Sequence, residues 1–262
     1  MSSAWVFDQS HYDALNAARG EVVARLLPDL KQKRNLKTAL DLGCGLGHYA
    51  KILHEYGFDV LAVDGRAENI EEARRRFPHL KFQVADAEDP ALARLGKFDL
   101  VFCFGLLYHL ENPLRVVRSI AELTSQITLI EGIVYPSPEP AMVLMDENTG
   151  ADQGLNYMAF YPSEPCVVKM FRRTGLVHCY NPERMPSHPE YQQGANGFRR
   201  RTILVAAKQP IKSPLLTDWE EPSPEFSPWA MMPLYPARGR AAAVYGAVDR
   251  LLHGKTRRAN RH

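Results

Sequence analysis

The chain has 262 residues, of which 45% are hydrophobic and 24% are charged, so it can form one sizeable folded core and differs from disordered or fibrous chains. Its formal net charge is +2, but the last ten residues carry four basic side chains and no acid, which leaves 28 basic and 30 acidic side chains elsewhere. A body so close to neutral argues against a broad nucleic-acid-binding surface.

Features that would assign the chain to a membrane or a secretory route are missing from the sequence. No apolar run is as long as a bilayer-spanning helix, and the start, MSSAWVFDQSHYD, lacks the basic and apolar regions of a signal peptide. Cys44, Cys103, Cys166 and Cys179 form no CxxC pair and no zinc-binding spacing. We therefore expect a cytoplasmic protein with free thiols and no bound metal.

The predicted elements begin with an amphipathic helix at Tyr12–Leu27 and continue, from residue 37 to about 207, as alternating strands and helices. Helices are predicted near residues 47–56, 68–77, 89–95 and 113–124. Strands are predicted at Thr38–Leu42, Val60–Asp64, Phe82–Ala85, Leu100–Phe104, Ile127–Glu131, Leu176–Tyr180 and Thr202–Ala206. This alternation predicts an α/β fold with a seven-stranded, mostly parallel sheet and helices on both faces. Ligands of such sheets bind beyond the carboxyl ends of the strands.

The last part of the chain, residues 209–262, differs in composition from the rest. Seven prolines between residues 209 and 236 predict an irregular arm, because proline interrupts both helices and strands. Its apolar residues, Trp219, Phe226, Trp229, Met231 and Met232, indicate that the arm packs against the body. A short helix is predicted at 238–252, followed by the basic tail, which we expect to be solvated and flexible rather than bound to an anion. We therefore divide the chain into a domain at 1–208 and an arm at 209–262.

A glycine-rich loop follows the first predicted strand in the stretch ALDLGCGLGHY, residues 39–49. A phosphate-binding loop of a nucleotidase needs lysine and a hydroxyl residue after its last glycine, whereas His48 and Tyr49 follow Gly47 here. The dinucleotide fingerprint is G-x-G-x-x-G, and this loop departs from it with G-x-G-x-G. Asp64 ends the next strand, where a carboxylate can accept both ribose hydroxyls of a dinucleotide or an adenosyl ligand.

Four motifs in order, LDLGCGLG, VLAVDGR, FQVADAED and FDLVFCFGLLYHLENP, together resemble the class I S-adenosylmethionine-dependent methyltransferases. The resemblance covers residues 37–132 strongly and extends loosely to 208. It implies a Rossmann-like fold whose last strand is antiparallel, and S-adenosylmethionine as cofactor. It also implies a set of cofactor-binding positions, namely Asp41, Gly43, Cys44, Gly45 and Gly47 for methionine and ribose, Asp64 and Gly65 for ribose, Asp86 and Ala87 for adenine, and Phe104 and Gly105 beside the sulfonium. Gly43 and Gly45 could instead serve only a tight turn, and Asp64 and Asp86 could instead be helix caps.

Two further stretches, GLLYHLENPL and ITLIEGIVYP, are similar to the methyltransferase-9 group, which includes an enzyme that carboxymethylates the wobble uridine of tRNA. In that enzyme a tyrosine and an arginine hold the added carboxylate of carboxy-S-adenosylmethionine, and the matching positions here are Tyr108 and Arg201. The tRNA enzyme also has a long N-terminal extension with a further basic cofactor contact, whereas about 36 residues precede the first strand here. We therefore expect the ordinary methyl donor.

Methyl transfer to a hydroxyl or amine requires a base, and His109 is the candidate because it follows the fourth strand and because histidine is the side chain that commonly exchanges protons near neutral pH. The alternative is that His109 only packs beneath the cofactor. Tyr108, the second candidate catalytic residue, is expected to supply a hydrogen bond or a wall of the methyl pocket. Glu131, at the end of the fifth strand, is expected to orient the acceptor or to bond a neighbouring loop. Tyr12 and Arg19 are expected to close over the cofactor, with Arg19 either pairing with its carboxylate or lying on a solvated helix face.

The long segment after the fifth strand, YPSPEPAMVLMDENTGADQGLNYMAFYPSE, is expected to shape the acceptor pocket, and residues 187–197 to form a second lid. Its composition suits a polar organic acceptor, so the first hypothesis is O-methylation of a small molecule such as a sugar or secondary metabolite. The alternatives are a tRNA wobble-uridine methyl- or carboxymethyltransferase and a catalytically inactive cofactor-binding partner subunit. Among partners we expect a small-molecule acceptor, disfavour tRNA and allow for a homodimer.

Overall fold

The computed structural model describes residues 5–150, 152–195 and 197–221. Eight strands form the main sheet, and apolar residues of β1, β4, β5 and the late strands are buried on both of its faces. The main-sheet strands are β1 Thr38–Leu42, β2 Asp59–Asp64, β3 Lys81–Val84, β4 Phe98–Phe104, β5 Thr124–Ile133, β8 His178–Pro182, β9 Arg201–Ala207 and β10 Leu216–Asp218; a separate hairpin contains β6 Met142–Asp146 and β7 Met158–Pro162.

The main sheet has the strand order β10-β8-β9-β5-β4-β1-β2-β3. β1 pairs in parallel with both β2 and β4, and β4 in parallel with β5. β9 runs antiparallel to β5 and to β8. The order reverses at β1, so the carboxyl ends of β1 and β4 flank the crevice in which ligands of such sheets bind. The predicted α/β fold and its antiparallel late strand are confirmed.

Helices cover both faces of the sheet, as the alternation predicted. Buried side chains of α1, α2 and α3 form one apolar cluster with the sheet, and those of α4 and α5 form a second cluster. The helices are α1 Ser10–Arg34, α2 His48–Glu55, α3 Ala67–Arg76, α4 Pro113–Leu123 and α5 Glu164–Arg173. Within the described ranges, no helix combines the length and apolar content that a bilayer crossing requires.

Several elements differ from the sequence prediction, among them the hairpin of β6 and β7, which lies in a segment that was expected only to shape the pocket. The first helix begins at Ser10 and extends to Arg34, because Leu30 continues its buried stripe beyond residue 27. The segment near 89–95 is a 3₁₀ helix, Pro90–Leu95, capped by the Asp89 carboxylate, which accepts from the Ala91 backbone N–H. The sheet has an eighth strand, β10, which is only three residues long and therefore too short to show an alternating pattern.

The beginning of the predicted arm belongs to the main body. β10 pairs antiparallel with β8, and the Trp219 backbone N–H donates to the Cys179 carbonyl oxygen at 2.9 Å. The Trp219 side chain is buried and donates from Nε1 to Glu164 at 3.0 Å. Residues 209–221 thus extend the sheet edge, while the apolar residues 226–232, the helix at 238–252 and the basic tail lie outside the described residues.

Candidate active site

A cavity of about 660 Å³ lies at the carboxyl ends of the strands. It is lined by the residues that follow β1, β2, β3 and β4, together with residues of α1 and of the loop between β6 and β7. This loop, residues 147–157 except 151, is called the covering loop below. The cavity therefore lies where the topology predicts a ligand, and its size is typical of small-molecule and cofactor sites.

The glycine loop forms the floor of the cavity beside β1. The backbone N–H groups of Gly43 and Cys44 donate to the Val63 carbonyl oxygen at 2.8 and 2.9 Å, which fixes the loop against β2. Gly43 and Gly47 have positive φ angles of 79° and 87°, and added Cβ atoms would lie 3.0 Å from Leu106 and 2.9 Å from Phe82. These two glycines are required by the fold, and Gly47 is not among the cavity-lining residues.

Asp64, at the end of β2, holds the loop and still faces the cavity. Its Oδ2 accepts from the Gly45 backbone N–H at 3.0 Å, while Oδ1 accepts from the Arg66 backbone N–H at 2.9 Å and the Asn69 side chain at 3.1 Å. A carboxylate offers about four acceptor positions, so these three bonds leave capacity for a ligand hydroxyl. Asp64 is not the helix cap that its sequence context offered as the alternative, because the N-cap of α3 is Arg66; Asp64 lines the cavity.

Asp41 lies beneath the glycine loop and does not line the cavity. Its side chain is 2% exposed, and Oδ2 has no hydrogen-bond partner among the described residues. Burial, and secondarily the neighbouring Asp64 carboxylate, raises the pKa of Asp41 to about 8, although the Ala50 backbone N–H acts in the opposite direction. The structure thus places a predicted cofactor ligand in the supporting layer of the site.

The predicted adenine and sulfonium positions lie on the cavity wall. Asp86 and Ala87 follow β3 and line the cavity, and Asp86 also accepts from the Glu88 backbone N–H at 2.8 Å. Phe104 and Gly105 end β4 and line the cavity as well, as do Cys44, Gly45 and Gly65. An added Cβ on Gly65 would lie 2.8 Å from Leu155, so the covering loop packs directly on the end of β2.

A buried charge network lies next to the cavity. Glu131, which is completely buried on β5, pairs with Arg19 of α1 at 2.6 Å and with Arg201 of β9 at 3.1 Å, and accepts from the Tyr191 hydroxyl at 2.6 Å. Arg201 also pairs with Glu190 at 2.6 Å. The two arginine side chains line the cavity, whereas Glu131 lies behind them. Glu131 is therefore the counterion of the arginines, and its bond to Tyr191, in the loop before β9, matches the second of its two expected roles.

Electrostatics explains why this network tolerates burial. Desolvation opposes ionisation of Glu131, but Arg19 and Arg201 outweigh it and hold the pKa of Glu131 below its ordinary value. Desolvation likewise opposes the charge of each arginine, and Glu131 contributes to raising the pKa of both. The two cations and the carboxylates of Glu131 and Glu190 balance, so the network adds no net charge to the cavity wall.

Tyr108 and His109 lie together on the opposite side of the cavity from β3, in a 3₁₀ turn at Leu107–His109. The Tyr108 hydroxyl accepts from Arg201 at 3.4 and 3.5 Å, and the Arg201 guanidinium lies 5.4 Å from the Tyr108 ring centre. His109 Nδ1 pairs with the Glu147 carboxylate of the covering loop. The sequence-predicted pair thus borders the cavity, and its partners come from distant parts of the chain.

Hydrogen bonds hold the covering loop at two places on the cavity wall, one after β2 and one on α1. Arg66, next to Asp64, donates to the carbonyl oxygens of Gln153 at 3.1 Å and Gly154 at 3.0 Å. The Tyr12 hydroxyl of α1 donates to Asp152 at 2.6 Å. The long segment after β5 therefore contributes wall residues to the cavity, as its position predicted.

Several cavity residues were not singled out from the sequence, among them Asn16, His48, Tyr49, Arg66 and Asn69. Asp152 to Asn156 lie in the segment that was expected to shape the pocket, but none of them was distinguished individually. For Arg66 and Asn69 a signal existed, because they lie two and five residues after Asp64 at the start of a helix. Glu147, Asp152 and Tyr191 had no such signal, since their partners are 38, 140 and 60 positions away.

Comparison with known proteins agrees with this geometry. Residues 40–126 match the family described as "Methyltransferase domain". The chain is also similar to named methyltransferases. It is 31% identical over 121 residues to a ubiquinone biosynthesis O-methyltransferase of Xanthomonas campestris, covering 44% of this chain and 48% of the relative. A ubiquinone biosynthesis O-methyltransferase of Bordetella avium is 27% identical over 130 residues, covering 47% of this chain and 52% of the relative. The chain thus spans about half the length of these curated relatives.

Several solved structures have a fold similar to that of this chain. The N-terminal domain of EvdMO1, crystallised with S-adenosylhomocysteine and D-fucose present, superposes with a TM-score of 0.60 and 19% identity, over 77% of this chain and 85% of that one. CalS10 of Micromonospora echinaspora, an amino pentose methyltransferase with S-adenosylmethionine bound, superposes with a TM-score of 0.51 and 15% identity, over 77% of this chain and 98% of that one. At these identities the similarity establishes the fold.

Proposed function

We propose that this protein is an S-adenosylmethionine-dependent methyltransferase that methylates a hydroxyl group of a small molecule. The observation that carries the proposal is the single cavity at which the glycine loop, Asp64, Asp86 and the Tyr108–His109 pair meet. The matching methyltransferase domain and the solved relatives that bind this cofactor or its demethylated product support the choice of ligand.

The residues present fit S-adenosylmethionine. Gly45 presents backbone to the cavity, because an added Cβ would meet only Phe7, at an ordinary 3.6 Å. Asp64 retains acceptor capacity for a ribose hydroxyl. Asp86 and Ala87 follow β3 and line the part of the cavity that would contact the adenine. When bound, the cofactor supplies an activated methyl group on a sulfonium.

The protein must then position the acceptor, exclude water and accept a proton. Tyr108 and Arg201 form one wall, and the covering loop shields the site from solvent. We assign His109 as the base that takes the proton of the acceptor hydroxyl. Its Nδ1 is engaged by Glu147, and Nε2 makes no hydrogen bond to the described part of the chain, so Nε2 is the nitrogen that can accept this proton.

A small-molecule acceptor is favoured over tRNA by the surroundings of Arg199 to Arg201, a run of three arginines at the start of β9. Arg201 is buried and paired with two carboxylates. Arg199 lies 3.6 Å from Glu164, and Arg200 lies 3.5 Å from Glu190. These acids offset the cluster, which reduces its value for phosphate binding. The proteins to which the chain is similar include a ubiquinone biosynthesis O-methyltransferase and an amino pentose methyltransferase, and these names support the choice of a small-molecule acceptor.

The same charge balance favours the ordinary methyl donor over the carboxylated one. Arg201 would have to bind the added carboxylate, but Glu131 and Glu190 already accept from its guanidinium. If the carboxylated cofactor instead binds at least tenfold more tightly in competition, and Arg201→Ala abolishes that preference, the assignment to the ordinary donor is wrong.

Titration calorimetry with S-adenosylhomocysteine tests the cofactor assignment. We expect binding that Asp64→Ala weakens by about 1–3 kcal/mol, the scale of hydrogen bonds to a charged group. Asp89→Ala is the matched control, because Asp89 is an exposed carboxylate that does not line the cavity. Tight binding of NADH without any response to the sulfonium ligand or its product would contradict the proposal.

Titration with bulk tRNA at two salt concentrations tests the acceptor class. We expect weak binding, because carboxylates lie beside Arg199 to Arg201, and those of Glu72 and Asp8 pair with Arg75 and Arg76. Submicromolar affinity that falls steeply with salt would favour a tRNA acceptor, since phosphate contacts release counterions.

A further inference from the structure

The covering loop carries a carboxylate that reaches the candidate base. Glu147 follows β6, and its carboxylate is almost completely buried, with 1% of the side chain exposed, while His109 retains 12%. One oxygen, Oε1, contacts His109 Nδ1, and the other, Oε2, accepts from the Gly154 backbone N–H at 2.8 Å. Both oxygens of Glu147 are therefore committed, one to the imidazole and one to its own loop.

A second observation shows that the loop is seated against the same turn. An added Cβ on Gly154 would collide with the His109 carbonyl oxygen, so only glycine permits this approach. The β7 backbone continues the contact, because the Phe160 N–H donates to the Leu110 carbonyl oxygen at 3.0 Å. Backbone packing thus fixes the distance from which the Glu147 side chain reaches His109.

We propose that Glu147 is a positioning residue that holds His109 with its proton on Nδ1 and so keeps Nε2 available to accept the proton of the substrate. A carboxylate accepts hydrogen bonds only, so its contact with Nδ1 selects the tautomer that donates from that nitrogen. As the acceptor hydroxyl loses its proton to Nε2, the imidazole becomes positively charged, and the Glu147 carboxylate stabilises this charge. The inference rests on the proposed role of His109 as base.

The geometry also links this positioning to the cofactor side. Arg66, adjacent to the ribose-facing Asp64, donates to the carbonyl oxygens of residues 153 and 154, the same turn that donates to Glu147. Displacing the turn would therefore move a contact of Glu147 and a contact of Arg66 together. We expect the tautomer of His109 to be sensitive to substitutions on this turn, such as Gly154→Ala.

Nitrogen-15 NMR of the ring nitrogens in the resting, substrate-free protein tests the proposal without requiring turnover. We expect His109 to carry its proton on Nδ1 in the wild type and to become a mixture of tautomers in Glu147→Ala. Glu147→Gln, which keeps the size and one acceptor oxygen, should be intermediate and serves if the alanine variant does not fold. Glu111→Gln is the control, because Glu111 accepts from Asn156 of the same loop at 2.8 Å without contacting His109.

Kinetics provides the second measurement. Turnover with saturating cofactor should fall about 10–100-fold in Glu147→Ala, less than on removal of the base itself, with the KM for the cofactor unchanged within about threefold. An Nδ1-protonated His109 that persists in both Glu147 variants would overturn the proposal. If instead the tautomer changes as expected but His109→Asn retains full turnover, Glu147 positions the ring and the proposed base role of His109 fails.

Discussion

The two sides of the cavity are built in different ways. The cofactor side consists of residues that directly follow β1, β2 and β3, and its main contacts are local, such as Asp64 with Arg66 and Asn69. The acceptor side is assembled from α1, the turn after β4, the covering loop, β9 and the loop before it. Its contacts join residues far apart in the chain, such as Tyr12 with Asp152 and Tyr191 with Glu131.

Because of this difference, the two sides of the cavity can vary independently. A motif at a strand end is positioned by the strand itself, so the cofactor side requires little beyond the sheet. The acceptor side requires its loops to be held by charge pairs and hydrogen bonds, and each of these contacts can change without altering the sheet. Substitutions on the acceptor side should therefore change turnover and loop stability while leaving the cofactor affinity largely intact.

His109→Asn is the most direct way to separate the two sides. Removing a general base typically costs about 10²–10⁴-fold in rate, so turnover should fall by that order while the affinity for S-adenosylhomocysteine stays within about threefold. Single-turnover kinetics and calorimetry measure the two quantities. A large loss of affinity with little change in turnover at saturating cofactor would make His109 a packing residue. Wild-type protein that binds cofactor but turns over no acceptor would favour the inactive partner-subunit hypothesis.

Glu131→Gln tests whether the buried charges hold the acceptor side together. The substitution leaves two buried arginines with one fewer counterion, and breaking such a pair typically costs about 3–5 kcal/mol of stability. Glu190→Gln is the matched comparison, because Glu190 pairs with the same Arg201 but its side chain is 29% exposed, so a smaller loss is expected. Urea unfolding provides both values, and equal losses would show that burial does not set the strength of the network.

The pKa of Glu131 also gives this stabilisation a pH dependence. Its folded-state pKa lies below the ordinary value, so its contribution is present above the pKa of the unfolded chain and is lost as the pH falls through the folded value.

Asp41 on the cofactor side has the opposite pH dependence. Its pKa of about 8 lies above the unfolded value, so the unfolded chain releases the proton first and folding stability falls as the pH rises toward 8. Asn cannot ionise, so Asp41→Asn should gain on the order of 3 kcal/mol relative to the wild type between pH 5 and 8. Urea unfolding at these two pH values measures the gain. The same pH dependence in both proteins would show that Asp41 is ionised when folded.

The sequence predicted the cofactor side better than the acceptor side for a physical reason. Asp64, Gly65, Asp86 and Gly105 end or follow strands whose apolar patterns are visible in the sequence, and all four line the cavity. Asp41 and Glu131 were placed at the correct strand ends, but both are buried behind the cavity wall, because side chains alternate between the two faces of a strand. Strand position alone did not reveal which face each one occupies.

The acceptor side was harder to predict from the sequence because its contacts depend on tertiary structure. The composition of the long segment after β5 indicated a pocket wall, but nothing in it distinguished Glu147 from Asp146 or Glu139. Only the hairpin register, in which Asp146 pairs with Met158, places Glu147 at the start of the covering loop. Arg19 likewise had equal sequence support for a solvated helix face, yet it is 5% exposed because Glu131 compensates its charge.

Tyr12→Phe probes a contact between α1 and the covering loop, and we expect it to have the smallest effect. The substitution removes the hydroxyl that donates to Asp152, a hydrogen bond that contributes about 1 kcal/mol in a partly exposed position. Because Asp152 lines the cavity and its loop would be held less firmly, amide exchange should rise at residues 152–157, while the affinity for S-adenosylhomocysteine should stay largely intact. Tyr135→Phe is the control, since it removes an exposed tyrosine hydroxyl away from the cavity.

Asp152→Asn completes a double-mutant cycle with Tyr12→Phe. Strictly additive effects on amide exchange would show that the two side chains are not coupled, whereas a coupling of about 0.5 kcal/mol or more would establish that α1 holds the loop through this pair.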